Sequence, residues 1–250
     1  MCLIIVAWKI DKRYPLLVAA NRDEIFARPT APLAWWDDHP AILAGRDLQD
    51  GGTWLGVTRN GRFAAITNYR DPARMKAGAP SRGHLVSDFL AGDEAPEAYL
   101  RRIAPVSEAC NGFNLLVADT SALWWHSNVT QDIRKLEAGI HGVSNHLLDT
   151  PWPKLTGAKR VFAEALPELP ATEKLFALLR DDTQHPDEVL PSTGVGLELE
   201  RKLSAIFVKT EGFNTRSSAV LSRDDAGKIC FDEQTWLEDG SPGHRVRINT

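Results

Sequence analysis

The chain opens on two apolar runs, Cys2 to Ile10 and Pro15 to Ala20, separated by the polar turn Asp11-Lys12-Arg13. Short continuous apolar runs bounded by a turn predict a β-hairpin whose strands are largely buried. A second hairpin is predicted from Thr53 to Thr58 and Arg62 to Tyr69, joined through Asn60-Gly61, a pair that tolerates the positive φ of a tight turn. Ser81 is placed to cap a short helix from about Arg82 to Leu90 ending at Gly92, and Pro96 to Ile103 reads as another. Strand-like runs follow at Asn114 to Ala118, Ala122 to His126, Ile133 to Leu136 and Ile140 to Ser144. From Pro153 to about Arg180 Leu, Val and Phe recur at three- and four-residue steps, a helical pattern that Pro167 and Pro170 divide. A polar loop over Asp181 to Gly196 leads to a helix at Leu197 to Ile206. Strands at Thr215 to Leu221, Lys228 to Phe231 and Arg245 to Ile248 close the chain.

Hairpins dominate over strand–helix–strand alternation, so the expected fold is α+β with mainly antiparallel sheets. Two sheets stacked face to face and flanked by helices would cover every apolar face. No repeat, low-complexity tract or charge block divides residues 1–250, which read as one domain.

Composition narrows the function classes. A content of 43% hydrophobic and 25% charged residues is that of an ordinary globular chain able to build its own core. Lys and Arg number 29 against 33 Asp and Glu, a net charge of −4 that argues against a nucleic-acid binder. Leu3 to Trp8 is too short to span a bilayer and lacks the flanks of a signal peptide, so no integral membrane segment is expected. Three scattered cysteines, Cys2, Cys110 and Cys230, suit a reducing compartment, and a cytoplasmic location is expected. The sequon Asn128-Val129-Thr130 then reads as chance.

Common chemical signatures are missing. There is no dinucleotide fingerprint, no P-loop, no zinc-ligand spacing and no second glycine to make Gly142-Val143-Ser144-Asn145-His146 a nucleophile elbow. Gly51-Gly52-Thr53-Trp54-Leu55-Gly56 lacks a phosphate-binding lysine and reads as a turn entering a close-packed strand. The seven histidines show no ligand spacing. Most of the eight tryptophans read as core or turn anchors, with one or two available to line a pocket.

Cys2 stands apart because of its position. Removal of the initiator methionine would give it a free α-amine, a group that ordinarily titrates near pH ~8 and so leaves a useful fraction able to act as base. A thiol beside its own amine is a nucleophile–base pair, although a small buried cysteine opening a strand reads equally well. A hairpin returns Asn21-Arg22-Asp23-Glu24 toward the Cys2 end, where Asp23 can orient the amine and Arg22 can favour the thiolate. Asn68 and Asn145 each close an apolar strand, as oxyanion donors or as turn residues.

The motifs Met-Cys at the start, Asn-Arg-Asp-Glu at 21–24, Gly-Gly-Thr-Trp-Leu-Gly at 51–56, Thr-Asn-Tyr-Arg at 67–70, Gly-Val-Ser-Asn at 142–145 and Thr-Arg-Ser-Ser at 215–218 resemble the NRDE family. That family is also called the transport and Golgi organisation protein 2 family. Its pattern is distantly similar to choloylglycine hydrolase-like N-terminal nucleophile enzymes, which implies a four-layer αββα sandwich and cleavage of linear amide bonds. Carried over, Cys2 matches the nucleophile, Asn21 and Asp23 an Asn-x-Asp, Asn68 the oxyanion asparagine, Asn145 a second active-site asparagine and Arg216 a late arginine near the nucleophile. Trp54 and Tyr69, with Asn21, are the expected substrate contacts. One departure is Ala20, which stands where those hydrolases carry an arginine, so Arg22 or Arg216 has to supply that charge.

Two functions follow from the resemblance. One is an N-terminal-cysteine amidohydrolase or acyltransferase acting on a small amide, with no metal or organic cofactor. The other is a trafficking protein on a hydrolase-like scaffold that carries haem or an acyl lipid noncovalently as cargo.

Overall fold

The computed structural model describes residues 2–250. Among the described residues, thirteen strands form two antiparallel sheets. The first sheet has the order β10 (Gly139–Val143), β1 (Cys2–Trp8), β2 (Leu16–Ile25), β11 (Phe213–Arg223), β12 (Ile229–Trp236), β13 (Pro242–Asn249). The second runs β3 (Thr30–Trp35), β4 (Ile42–Asp47), β5 (Leu55–Thr58), β6 (Phe63–Asn68), β7 (Phe113–Ala118), β8 (Leu123–Ser127), β9 (Asp132–Leu136).

Alternation along the strands sorts the side chains into three apolar layers. Ile4, Val6, Val18 and Leu221 meet Val57, Phe63, Leu116 and Trp125 between the sheets. Leu3, Ile5, Leu17 and Ala19 point outward onto α3 (Pro153–Ala165) and α4 (Glu173–Leu179). Ile42, Ala64, Leu115 and Val117 carry α1 (Gly83–Ala91) and α2 (Pro96–Ser107) on the opposite outer face. The result is a four-layer αββα sandwich. Every residue of β1 is buried because both of its faces are covered, which explains a continuous apolar run in place of alternation. No helix among the described residues is long and apolar enough to cross a membrane.

The structure corrects several expected boundaries. β2 does not stop at Ala20 but continues through Asn21-Arg22-Asp23-Glu24 to Ile25, because β11 pairs along its other edge, Asn21 opposite Ser218 and Asp23 opposite Thr215. Strands β3 and β4 had no distinct signal: Pro32 and partly exposed positions break the pattern of β3. Ser81 does not cap α1, whose N-cap is Arg82 without a side-chain hydrogen bond. Helix α2 continues past Ile103 through Pro105 to Ser107. Asn60-Gly61 does turn the β5–β6 hairpin, with Gly61 at φ 82°.

The Gly-Gly motif is a close approach of two backbones. A Cβ on Gly52 would lie 2.5 Å from the Gly83 carbonyl carbon and 2.8 Å from the His84 amide nitrogen. Thr53 N–H donates to the Gly83 carbonyl across the same contact at 3.3 Å. Only glycine at position 52 lets the β4–β5 connection seat against the start of α1, and this junction forms one wall of the cavity described next.

Candidate active site

Cys2 begins β1 opposite Arg22 of β2. Strand alternation sends Cys2 and Arg22 to the inter-sheet side, with Ile4 and Ala20, and sends Asn21 and Asp23 to the helical side, with Ala19. A cavity of about 410 Å³ opens where β1 starts, β6 ends and α1 begins; Cys2, Arg22, Asp23, Trp54 and Asn68 line it. Cys2 is only 9% exposed. Burial pushes its thiol above the usual value and the Asp23 carboxylate adds to the rise, while the Asp23 backbone amide and the Arg22 charge favour the thiolate.

Arg22 is fixed by three contacts. Its guanidinium lies 4.1 Å from the centre of the Trp54 ring, donates to Thr30 Oγ1 at 2.8 Å and sits 3.9 Å from Glu24. Arg22 is the next inward-facing residue of the strand after Ala20, and its positive charge lies in the field of the Cys2 thiol. Trp54 thus reaches the cavity by holding Arg22 as well as by lining it.

Asp23 is buried and accepts a hydrogen bond from Thr215 Oγ1 at 2.6 Å. Burial raises its carboxyl above the ordinary range, and the positive charge of Lys154 and the Thr215 bond oppose the rise. Lys154, on the first turn of α3, is itself buried and donates to the Leu203 carbonyl at 2.8 Å. Burial brings its ammonium down to about 8, with Asp23 acting in the opposite direction. A buried acid and a buried base thus lie in each other's field, and both act on the field at Cys2 or feel its charge.

The two asparagines divide their work. Asn68 ends β6 and lines the cavity, and its side-chain amide has no hydrogen-bond partner among the described residues. Asn145 is fully buried and does not line the cavity. Its Nδ2–H donates to the Asn68 carbonyl at 3.1 Å, and its Oδ1 accepts from Ser144 Oγ at 3.3 Å. Ser144 Oγ also lies 3.3 Å from the Cys2 carbonyl, which it can donate to in turn. Asn145 therefore holds the end of β6 against the start of β1 and is not an oxyanion donor in this arrangement.

Three expected contacts fall elsewhere. Asn21 spends its amide beneath the sheet: Nδ2 donates to the Leu179 and Ile206 carbonyls at 2.8 and 2.9 Å, and Oδ1 accepts from Ser218 at 2.6 Å. It locks the sheet to the helical layer and is not a substrate contact. Tyr69 does not line the Cys2 cavity but a separate depression of about 250 Å³, and its hydroxyl meets His146 Nε2 at 2.9 Å. Arg216 occupies the bulge of β11, and its guanidinium binds the carbonyls of Ile25, Phe26 and Arg28 and stacks on Phe26. It braces the turn leaving β2, and Arg22 is the arginine in the thiol's field.

Sequence reasoning missed Arg28, Asp47, Asp50, Arg82 and Lys154. Arg28 is held between Asp47 and Asp50 on the cavity rim, with its Nε–H 3.0 Å from Asp47. None of these residues has a local motif; the fold brings them together from separate elements. Among the described residues, no group of three His, Cys, Asp or Glu side chains is arranged to hold a metal ion.

The sequence profile of the family described as Transport and Golgi organisation 2 matches residues 1–238. The chain belongs to this family. The bovine Transport and Golgi organization protein 2 homolog is 35% identical over 261 residues, covering 95% of this chain and 94% of that protein. The human homolog is 34% identical over 263 residues with the same coverage. Among solved structures, the C2A mutant of a conjugated bile acid hydrolase from Clostridium perfringens aligns with a TM-score of 0.53. It covers 100% of this chain and 92% of that chain at 9% identity, a likeness of fold alone. This chain therefore has a hydrolase-like αββα scaffold.

Proposed function

We propose that this family member is an N-terminal-cysteine amidohydrolase or acyltransferase acting on a small polar amide. The observation that carries the reading is the convergence of Cys2, Arg22, Asp23 and the uncommitted Asn68 amide on one cavity. With Met1 removed, the Cys2 α-amine takes the thiol proton and sulfur attacks the amide carbonyl, forming a carbon–sulfur bond and a tetrahedral oxyanion. The Asn68 Nδ2–H group donates to that oxygen, and Asn145 keeps Asn68 in place through its carbonyl. The amine returns the proton to the leaving nitrogen as the carbon–nitrogen bond breaks. Water or an acceptor amine then attacks the thioester, the α-amine takes the proton of that nucleophile, and the thiol is regenerated. Arg22 favours the thiolate, and Asp23 positions the amine.

The cavity supports a small polar substrate better than haem or an acyl lipid. A porphyrin or a long acyl chain needs an apolar slot, whereas Arg22, Glu24, Arg28, Asp47 and Asp50 put charge on these walls.

The test is hydrolysis of a panel of acyl p-nitroanilides and N-acyl amino acids by the chain beginning at Cys2. Asn68→Ala should lower kcat/KM by roughly 10²–10³-fold through loss of one oxyanion donor. Turnover unaffected by Asn68→Ala, or no turnover across the panel, would count against the reading.

A further inference from the structure

Arg82 is the N-cap of α1, and its side chain lines the same cavity as Cys2. Its guanidinium donates through Nη1–H to the Gly112 carbonyl at 3.1 Å, its one hydrogen-bond partner among the described residues. No carboxylate forms an ion pair with it among those residues, although the cavity holds several acids. Each of those acids is engaged elsewhere. Asp47 and Asp50 close on Arg28, Asp23 is bonded to Thr215, and Glu24 accepts from the Ile25 amide at 2.9 Å and lies 3.9 Å from Arg22. Arg82 therefore lines the cavity with no protein acceptor among the described residues on its Nε–H and Nη2–H groups. A planar guanidinium fork held on one side and open on the other is suited to a planar or tetrahedral oxyanion.

We infer that the substrate of this cavity carries an anionic oxygen group, a carboxylate or a phosphate, that pairs with Arg82 while the scissile amide lies over Cys2. The inference deepens the hydrolase reading and relies on it for the place of the amide. Its test needs no turnover.

The probes are iodoacetate and iodoacetamide, which alkylate a thiol by the same step: a sulfur–carbon bond forms and iodide leaves. They differ in the negative charge of iodoacetate. Labelling of the full chain is followed at Cys2 by peptide mass spectrometry, with the partly exposed Cys230 as internal reference. The iodoacetate-to-iodoacetamide rate ratio at Cys2 should exceed that at Cys230 by about tenfold or more, and saturate with iodoacetate concentration. Arg82→Gln should bring the ratio down to that of Cys230, and Arg82→Lys should restore part of it. Protection of Cys2 by N-acetylglycine but not by N-acetylglycinamide assigns a carboxylate, whereas protection by inorganic phosphate assigns a phosphate.

Equal ratios at the two cysteines, a preference untouched by Arg82→Gln, or a Cys2 that neither reagent reaches would each overturn the inference. Anion preference without any amide turnover would instead uphold the anion site and remove the hydrolase reading.

Discussion

Cys2→Ala is expected to abolish turnover of any amide that the unmodified chain cleaves, a fall of roughly 10⁴-fold or more. The magnitude follows from the role: the sulfur forms the bond, and the remaining oxyanion donor and binding contacts cannot replace a nucleophile. The fold should survive. Alanine removes one atom from the first residue of β1, whose backbone is held by Arg22 and Leu3 by Asn21 in the strand register. Thermal unfolding within a few degrees of the parent chain, beside lost turnover, is the expected pair of results. Cys2→Ser should fold equally well and retain at most a trace of activity. Turnover persisting in both variants would move the chemistry away from position 2.

Asp23→Asn and Lys154→Met are expected to destabilise the chain by about 3 kcal/mol each, and the double variant by less than their sum. Each single change removes one of the opposing charges in the other group's field. Lys154→Met also strips the Leu203 carbonyl of its donor. Urea unfolding of the four proteins at neutral pH measures the coupling, and strict additivity would show that the two groups act independently. The pH dependence has a definite sign. Burial lowers the Lys154 ammonium to about 8 from 10.5, so between those values the unfolded chain binds the proton that the folded chain has lost. Stability from this group therefore rises with pH across that window, and Lys154→Met should flatten the rise.

The sandwich was largely legible because its strands are written in apolar runs. β1, β6 and β7 are buried on both faces, and the helices of the outer layers show three- and four-residue spacing. The polar quartet Asn21 to Glu24 looked like a strand end because polar residues ordinarily mark one. Here each buried member finds its partner on a distant element, Asn21 on the residues around Leu179 and Ile206 and Asp23 on Thr215. Which face each residue of the quartet occupies follows from alternation once the pairing of Cys2 with Arg22 is known. Period 2 then separates Arg22, beside the thiol, from Asp23, beneath it.

Position 2 and the asparagine-bearing motifs announced the candidate site, but the division of labour within it did not. Asn68 and Asn145 are alike in sequence, each following an apolar run, and the hydrogen bond from Asn145 to the Asn68 carbonyl sets the buried Asn145 apart from the Asn68 proposed as donor. Tyr69, one residue past the end of β6, lines a different depression. Arg82 and Lys154 carry no local signal because their significance lies in which buried groups they face across the fold.

All of the proposed chemistry rests on a free N-terminal Cys2, so the decisive measurement is the intact mass of the purified chain with sequencing of its first peptide. A protein lighter by one methionine residue and beginning at Cys2, with the α-amine free to serve as base, is the expected result. A chain that keeps Met1 throughout the active preparation would contradict it, since neither the base nor the approach to the sulfur would then exist as described.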